Sequence, residues 1–272
     1  MIGRTHPSLR RVRELRKDRR ARDVEGVFVA EGIHLAEEAL RAGADVETAV
    51  VSPRLSASDA GLRLRRDLER AAIPLIETTD AALDGLSDAR SPQPVLLVVR
   101  ARRVTLDQAI DGREAPALLA VLHGVQDPGN LGTVLRTADA ASATGLVIAG
   151  AGADLHHPRA VRATAGSIFR LPAAACRGAE LFPRLRDRGI LLVAADPRSA
   201  TDYASVDLRD PVAIFLGGEG SGLPSDWLDL VDRRVRVPMR AGVESLSVGA
   251  AAAVLLFEAR RQRSGDGVSC DG

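Results

Sequence analysis

Cysteine is scarce in this 272-residue chain, and this scarcity excludes most cysteine-based chemistry. Cys176 and Cys270 are the only two cysteines, they lie far apart, and they belong to no Cys-x-x-Cys or Cys/His cluster. This pattern supports neither a disulfide framework nor a zinc site. We therefore expect a protein that works without a metal ion.

Long apolar runs are also missing from the sequence. No stretch reaches the roughly 18 consecutive apolar residues of a membrane-spanning helix. The basic N-terminal sequence MIGRTHPSLRRVREL has neither the apolar core nor the small-residue cleavage site of a secretory signal. These absences predict a soluble, cytoplasmic protein with no membrane partner.

Positive charge is present but unevenly placed along the chain. Residues 1–22 hold nine arginines or lysines against two acidic residues, although the whole chain has a net charge of only +1. Runs of this kind are usually a solvated helix face or a disordered arm, and the alternative is an arm that contacts phosphates. The sequence leaves these interpretations open.

The chain exceeds the roughly 100–200 residues of a typical domain, so we expect two domains. Short apolar runs alternate with helical stretches, which favours a parallel α/β architecture over a sandwich or a bundle. In the first half, strands are predicted at 27–30, 46–51, 73–76 and 95–99, and helices at 32–42 and 58–70. In the second half, strands are predicted at 118–122, 145–148, 171–175, 190–194, 212–216 and 234–237, and helices at 130–141, 158–165 and from about 247 to 261.

A polar stretch between Arg100 and Pro116 separates the two halves and predicts a linker. The tail SGDGVSCDG has no apolar periodicity, and we expect it to be disordered. The predicted bounds are 1–105 for the first domain, 106–116 for the linker, 117–263 for the second domain and 264–272 for the tail.

Three loops that follow predicted strands are the candidates for chemistry, because open α/β sheets bind ligands beyond the carboxyl ends of their strands. The first, HGVQDPGNLGTVLRTADA, begins at His123. Asn130 is a candidate helix N-cap, and Arg136 lies near the same face of the helix. Arg136 is then either an exposed helix residue or an arginine aimed at a phosphate or a developing oxyanion.

The second loop, LGGEGSGLP, holds four glycines between Gly217 and Gly222, and Glu219 is its one carboxylate. Glycines let the backbone approach a ligand closely, although neither common nucleotide-binding glycine fingerprint fits. A carboxylate here favours an adenosine hydroxyl or an arginine as its partner over a phosphate, and a structural turn is the alternative. The third loop, VPMRAGVESLSVGAAAAVLLFEA, places Ser245 and Ser247 at the entrance to the last helix, where serines are often only caps.

In order and spacing, these three loops resemble the motifs of the SpoU (TrmH-like) family of RNA 2′-O-ribose methyltransferases in the SPOUT superfamily. The strings that carry the likeness are DPGNLGTVLRTADA, FLGGEGSGLP and VPMRAGVESLSVGAAAAVLLFEA, within roughly 117–262. The string VFVAEGIHLAEEAL looks like part of the small RNA-binding domain that many members carry ahead of the catalytic one.

The resemblance implies an α/β fold with a trefoil-knotted C-terminal methyltransferase domain and a smaller N-terminal α/β RNA-binding domain. It implies a homodimer that binds S-adenosyl-L-methionine (SAM) in the knot and methylates a ribose 2′-hydroxyl of structured RNA. Ribosomal RNA is favoured over tRNA because of the extra domain. A related enzyme that methylates a base and a non-catalytic RNA-binding factor with the same fold are the rival interpretations.

The resemblance also implies roles for individual residues. Arg136 would clamp an oxyanion and a phosphate rather than act as a base, since a guanidinium is hard to deprotonate. Ser247 departs from the family, in which Asn is usual at this position. The implied catalytic residues are Asn130, Arg136, Glu219 and Ser245, and the implied cofactor-binding residues are Leu216, Gly217, Gly218, Val237, Met239, Leu246 and Ser247.

Overall fold

The computed structural model describes residues 1–112, 116–220, 222–243 and 245–264. Most of the tail predicted to be disordered therefore lies outside the described residues. The helices are α1 (Pro7–Lys17), α2 (Arg19–Glu25), α3 (Ile33–Arg41), α4 (Asp59–Arg70), α5 (Asp80–Asp84), α6 (Leu106–Ile110), α7 (Pro128–Ala140), α8 (Pro158–Ala163), α9 (Gly178–Arg186), α10 (Ser225–Leu230) and α11 (Val248–Arg263). The strands are β1 (Val27–Glu31), β2 (Val46–Val51), β3 (Leu75–Glu77), β4 (Val95–Arg100), β5 (Leu118–His123), β6 (Gly145–Ala149), β7 (Ala173–Cys176), β8 (Leu191–Ala195), β9 (Val212–Gly217) and β10 (Arg233–Val235).

The chain divides into two compact units. The first holds Met1–Arg102 together with Asp154–Arg170, and the second holds Arg103–Ala153 and the described residues from Leu171 onward. In sequence, Asp154–Arg170 lies between β6 and β7, which are strands of the second unit. The chain therefore leaves the second unit after β6, contributes α8 to the first, and returns.

The sheet of the first unit is mixed, which corrects the expectation of parallel strands throughout. Its strand order is β1-β4-β2-β3. Strand β4 is antiparallel to both of its neighbours, and β2 pairs with β3 in parallel. An apolar run indicates that a strand is buried but is the same in both directions, so the sequence pattern could not assign the direction of β4.

The basic N-terminal run forms helices rather than a disordered arm. Leu9, Val12 and Leu15 recur at three-residue spacing and place one face of α1 in the core. Arg16 is buried and its guanidinium lies 2.9 Å from the carboxylate of Glu31. Part of the positive charge in this run therefore holds the first unit together.

The segment Asp154–Arg170 completes the core of the first unit. The ring of Phe28 on β1 stacks against His156, with 4.9 Å between centroids, and against Phe169, with 6.1 Å. Burial holds the pKa of His156 below its ordinary value, so its ring is neutral near pH 7. Val161 on α8 is buried in the same core.

An ion pair between buried Arg22 and partly buried Asp154 joins α2 to this segment. Arg22 donates to one carboxylate oxygen of Asp154 from Nη2 at 2.6 Å and from Nε at 3.1 Å, and to the carbonyl of Leu15 at 2.6 Å. Burial opposes ionisation of Asp154, but hydrogen bonds from Arg22 and from the His156 amide hold its pKa below the ordinary value. The pair therefore stabilises the fold above the unfolded-state pKa of about 3.9, and this stabilisation is lost as the pH falls.

The second unit contains a six-stranded sheet in the order β10-β8-β9-β5-β6-β7. All five of its strand pairs are parallel, as the sequence pattern predicts. The strand order reverses between β5 and β9, which are neighbours. Ligand crevices of open parallel sheets form beyond the carboxyl ends of the strands at such a reversal.

Part of the segment predicted as a linker is a packed helix. In α6, Thr105 and Gln108 form a reciprocal capping box, and Ala109 and Ile110 are buried in the core of the second unit. The helix has only five residues and is flanked by polar ones, so its three apolar positions are too few to show a period. Helices α5, α9 and α10 were also missed; α5 and α10 have only five and six residues, and α9 contains Pro183, which is unfavourable inside a helix.

We predict that Asp154→Ala strongly destabilises the first unit. The buried Arg22 guanidinium would lose its carboxylate partner, a loss that typically costs about 3–5 kcal/mol. Urea unfolding at pH 7 measures the change. The matched control is Asp23→Ala, because Asp23 pairs with Arg19 at 3.6 Å with side chains 62% and 63% exposed, and such pairs contribute at most about 1 kcal/mol. Equal effects of the two variants would contradict a structural role for the Arg22 pair.

Candidate active site

The candidate site lies in the second unit, where β5 and β9 end side by side. His123 pairs with Gly217 in the register of these strands. The amide of Gly218 then donates to the carbonyl of His123 at 2.8 Å. The first two loops identified from the sequence therefore begin at adjacent points on the carboxyl edge of the sheet.

A cavity of about 610 Å³ opens beside these strand ends. This volume is within the range of about 300–1,000 Å³ that small-molecule sites occupy. The lining includes all seven predicted cofactor-binding residues, namely Leu216, Gly217, Gly218, Val237, Met239, Leu246 and Ser247, and also Glu219 and Ser245 of the predicted catalytic set. Folding thus places the second and third loops, which are about 20 residues apart in sequence, on one cavity.

Two glycines at the cavity stand where no side chain fits. A Cβ atom added to Gly217 would lie 2.2 Å from the carbonyl carbon of Gly222, and one added to Gly218 would lie 2.0 Å from the carbonyl oxygen of Gly124. Contacts this short require the backbone to move. The glycine density of the second loop therefore reflects close backbone packing at the cavity as well as a turn.

The structure corrects the role predicted for Asn130. Asp127, not Asn130, is the N-cap of α7, and its carboxylate accepts a hydrogen bond from the Asn130 backbone amide at 3.0 Å. The Asn130 side chain is consequently available, and its Nδ2 donates to Oε1 of Glu219. This bond joins the first loop to the second.

Arg136 lies on the exposed side of α7, six residues after Asn130. Within the described parts of the chain it has no ion-pair partner, and it does not line the cavity. Ser245 does line the cavity and is exposed. The structure thus brings Asn130 and Glu219 into contact, places Glu219 and Ser245 on the cavity, and leaves Arg136 outside this contact network.

Ser247 is the N-cap of the last helix. Its hydroxyl oxygen accepts a hydrogen bond from the backbone amide of Ala250 at 3.3 Å, and its carbonyl accepts from Ala251 at 3.0 Å. Ser247 is exposed and lines the cavity as well. The capping alternative for this serine is therefore confirmed, and it is compatible with contact to a ligand.

Sequence reasoning missed a further segment of the cavity wall, the loop after β8. Ala195, Asp196, Pro197 and Arg198 line the cavity. The Asp196 carboxylate is buried and accepts hydrogen bonds from the backbone amide and Nε of Arg198, at 3.0 and 3.2 Å. Its position could have identified it, because this loop also follows a predicted strand. It has no glycine cluster, which was the feature that marked the second loop.

His123 and His157, which lie in or near the candidate loops, make structural contacts. The ring of His123 packs against Trp227 with 4.5 Å between centroids, and His157 caps α8 by accepting from Arg159 at 3.2 Å. Among the described residues, no group of three or more His, Cys, Asp or Glu is arranged to hold a metal ion. No helix in the described ranges is long and apolar enough to cross a membrane.

Two known protein families match this chain. The SpoU rRNA methylase family matches residues 117–257, which is more than half of the chain. The MRM3-like substrate binding domain matches residues 6–97. The two matches follow one another along the chain, one in each half.

Individual relatives agree with these matches. The 23S rRNA (guanosine-2′-O-)-methyltransferase RlmB of Bordetella pertussis is 36% identical over 200 residues, covering 72% of this chain and 82% of that enzyme. The 23S rRNA (uridine(2479)-2′-O)-methyltransferase of Streptomyces viridochromogenes is 31% identical over 253 residues, covering 90% and 86%. The crystal structure of the SpoU methyltransferase AviRb from Streptomyces viridochromogenes, in complex with AdoMet, has a TM-score of 0.85 and 29% identity, covering 95% of this chain and 99% of that one. With three motif loops gathered at one edge of a parallel sheet, the chain belongs to the SpoU family of RNA methylases.

Proposed function

We propose that this protein transfers a methyl group from SAM to a ribose 2′-hydroxyl of ribosomal RNA. The observation that carries the proposal is that the second and third motif loops line one cavity and that the hydrogen bond between Asn130 and Glu219 joins the first loop to the second. Family membership supports it, as do relatives named 23S rRNA 2′-O-methyltransferases and a structural neighbour with AdoMet bound.

The cavity fits a molecule of this kind. Gly217 and Gly218 have no side chain, and other backbone segments pack closely against them. A ligand at this wall would therefore contact main-chain groups rather than side chains. Apolar side chains such as Leu223, Val235 and Val248 contribute to the wall and suit an adenine ring. We propose that Leu216, Gly217, Gly218, Val237, Met239, Leu246 and Ser247 hold SAM, largely through backbone groups.

When bound, SAM supplies an electrophilic methyl group that an in-line displacement moves to a nucleophilic oxygen. The protein must then position the ribose hydroxyl and ease the loss of its proton. Arg136 is exposed and has no acidic partner among the described residues, so its guanidinium is available to the RNA. We propose that this guanidinium donates hydrogen bonds to a backbone phosphate and to the oxygen that gains negative charge.

Glu219 and Asn130 act as a pair in this scheme. The Glu219 carboxylate accepts from the Asn130 amide, which fixes the amide so that its remaining N–H can face the RNA. Ser245 on the opposite loop supplies a hydroxyl at the cavity. Since a guanidinium does not lose its proton near neutral pH, we propose that the ribose proton leaves late or passes to water.

The first unit would bind the RNA. Its match to a substrate binding domain supports this role. Arg10, Arg13 and Lys17 follow each other at three- and four-residue spacing on α1 and so share a face. Neither these three nor Arg20 has a carboxylate partner in the described ranges, and we propose that they contact RNA phosphates.

Four finer features belong to the same proposal. We propose that the C-terminal chain is knotted and that two copies form the active enzyme, as the family resemblance implies. Exposed apolar side chains in the second unit, Val243, Leu246 and Phe257, support a partner subunit. We place the protein in the cytoplasm with its RNA.

The named relatives act on guanosine and on uridine, so we propose the ribose, which both nucleotides share, as the acceptor.

We predict that Gly218→Ala weakens SAM binding by more than tenfold. The added Cβ would meet the Gly124 carbonyl oxygen at 2.0 Å and push the second loop away from the first. Titration calorimetry measures the dissociation constant, and circular dichroism checks that the variant is folded. Gly189→Ala is the control, because Gly189 has a φ of +64° with open space around it. This control should lose stability but bind SAM normally, and normal binding by Gly218→Ala would contradict the proposed site.

We predict that Arg136→Ala lowers kcat by about 100- to 1,000-fold, the usual loss when one oxyanion donor is removed. SAM affinity should stay within twofold, since Arg136 acts on the acceptor. Arg136→Lys should also have low turnover, because an ammonium group does not reproduce the planar pair of N–H donors of a guanidinium. Arg209→Ala is the control, as Arg209 is exposed and pairs with Asp207 two residues before it. Near-normal turnover by Arg136→Ala would make Arg136 only an exposed helix residue.

We predict that replacing both Arg10 and Lys17 with Gln weakens RNA binding and lowers its salt dependence. Two lost phosphate contacts should reduce the slope of log affinity against log salt by up to about 1.5. Fluorescence anisotropy with a ribosomal RNA fragment measures both quantities. Replacing Arg63 and Arg66 on α4 with Gln removes the same charge elsewhere on the unit. Equal effects of the two double variants would mean that net charge, rather than the α1 face, governs binding.

A further inference from the structure

Most arginines of the second unit are already hydrogen-bonded within the protein. Arg188, for example, donates to the carboxylate of Asp107 at 2.7 Å, and Arg263 donates to the carbonyl of Leu208 at 3.0 Å. A few guanidiniums have neither a hydrogen-bond partner nor an ion-pair partner in the described parts of this unit. They belong to Arg103, Arg136, Arg236 and Arg240.

Three of these unpaired arginines are placed beside the motif loops. Arg136 lies on α7, the helix that the first loop enters. Arg236 directly precedes the third loop, and Arg240 lies within it. Arg103, by contrast, lies at the start of the unit, before α6. The unpaired positive charge of the second unit is therefore concentrated on the segments that build the candidate site.

Arg236 combines a fixed backbone with an uncommitted side chain. Its amide donates to the carbonyl of Thr201 at 2.9 Å, and its carbonyl accepts from the amide of Tyr203 at 3.0 Å. The side chain is exposed and lines the cavity. Because the backbone is already held, only the side chain must be ordered when a ligand binds, which lowers the entropic cost of the contact.

Arg240 follows four residues later. Its carbonyl accepts from the amide of Val243 at 3.1 Å, its side chain is exposed, and Met239 beside it lines the cavity. Four residues of chain span at most about 13–14 Å. Arg236 and Arg240 are therefore close enough to contact one and the same nucleic acid strand.

The charges of the cavity favour an anionic partner for this pair of arginines. Two carboxylates line the cavity, and neither forms an ion pair with Arg236. Asp196 accepts from Arg198 at 3.2 Å, and Glu219 accepts from the side-chain amide of Asn130. SAM has a sulfonium and an ammonium group against one carboxylate, so it is a net cation that an unpaired arginine repels. A phosphate of the RNA is attracted instead.

We propose that Arg236 and Arg240 form a second phosphate-binding surface, which holds the RNA backbone next to the ribose that receives the methyl group. The inference rests on the proposed function. It adds a contact surface in the second unit to the α1 face of the first, and it assigns both arginines to the acceptor rather than to SAM. Guanidiniums suit this role, because they donate two parallel hydrogen bonds to phosphate oxygens.

The experiment replaces both Arg236 and Arg240 with Gln in the full-length protein. Methylation of an unmodified ribosomal RNA transcript gives KM for RNA, and anisotropy at several salt concentrations gives the salt dependence of RNA binding. We expect KM to rise about 2- to 30-fold, the range for two exposed ion pairs. The slope of log affinity against log salt should fall by about 1.4, the value for two contacts to a single strand. SAM affinity, measured by calorimetry, should stay within twofold.

Two further double variants separate phosphate contact from other effects. Replacing Arg236 and Arg240 with Lys keeps both positive charges, so the salt slope should stay close to that of the wild type. Replacing Arg177 and Arg209 with Gln removes the same charge from arginines that already pair with Glu180 and Asp207. This control should leave KM for RNA and the salt slope unchanged. Thermal unfolding of each variant checks that it is folded.

The outcomes distinguish the inference from the function on which it rests. If the wild-type protein binds RNA and its salt slope falls in the Gln variant, but it methylates no RNA, the proposed function fails and the phosphate-binding surface stands. If the wild-type protein methylates RNA and the Gln variant matches the Arg177 and Arg209 control, only the surface is overturned. A loss of SAM affinity with an unchanged salt slope would also overturn it, because the arginines would then face the cofactor.

Discussion

The close approach of two backbone segments at Gly218 is the constraint on which the candidate site depends. Its amide bonds the carbonyl of His123, and there is no room for a Cβ atom against Gly124. This contact fixes the loops after β5 and β9 to each other at the point where the strand order reverses. Because the two loops are held together there, Asn130 and Glu219 meet, and the cavity has a wall made of backbone. A larger residue at Gly218 would disturb all three features at once.

Helix capping decides which polar groups of this site are already hydrogen-bonded within the protein. Asp127 caps α7 and thereby frees the side chain of Asn130 to bond Glu219. Ser247 caps α11 with its hydroxyl oxygen and also lines the cavity. In the first loop, one polar side chain satisfies the helix terminus while the next one along the helix stays available for chemistry.

Basic side chains have two physical roles in the first unit. Arg16 and Arg22 are buried and paired with carboxylates, so they hold elements together. Arg10 and Lys17 lie on the exposed side of α1 without such partners in the described ranges. A count of charges along the N-terminal run treats all of these residues alike. Burial and pairing decide which of them remain available to a polyanion.

The sequence by itself determined the alternation of strands and helices, the three loops and their residue types, because apolar periodicity and glycine or cap residues act locally. It offered helix capping as one interpretation of the serines before the last helix, and Ser247 is that cap. It did not determine the antiparallel direction of β4, since an apolar run is the same in both directions. Only the tertiary structure decided that Asp196 joins the cavity and that Asp154–Arg170 packs with the first unit. These features depend on contacts between residues far apart in the chain, and such contacts leave no local pattern.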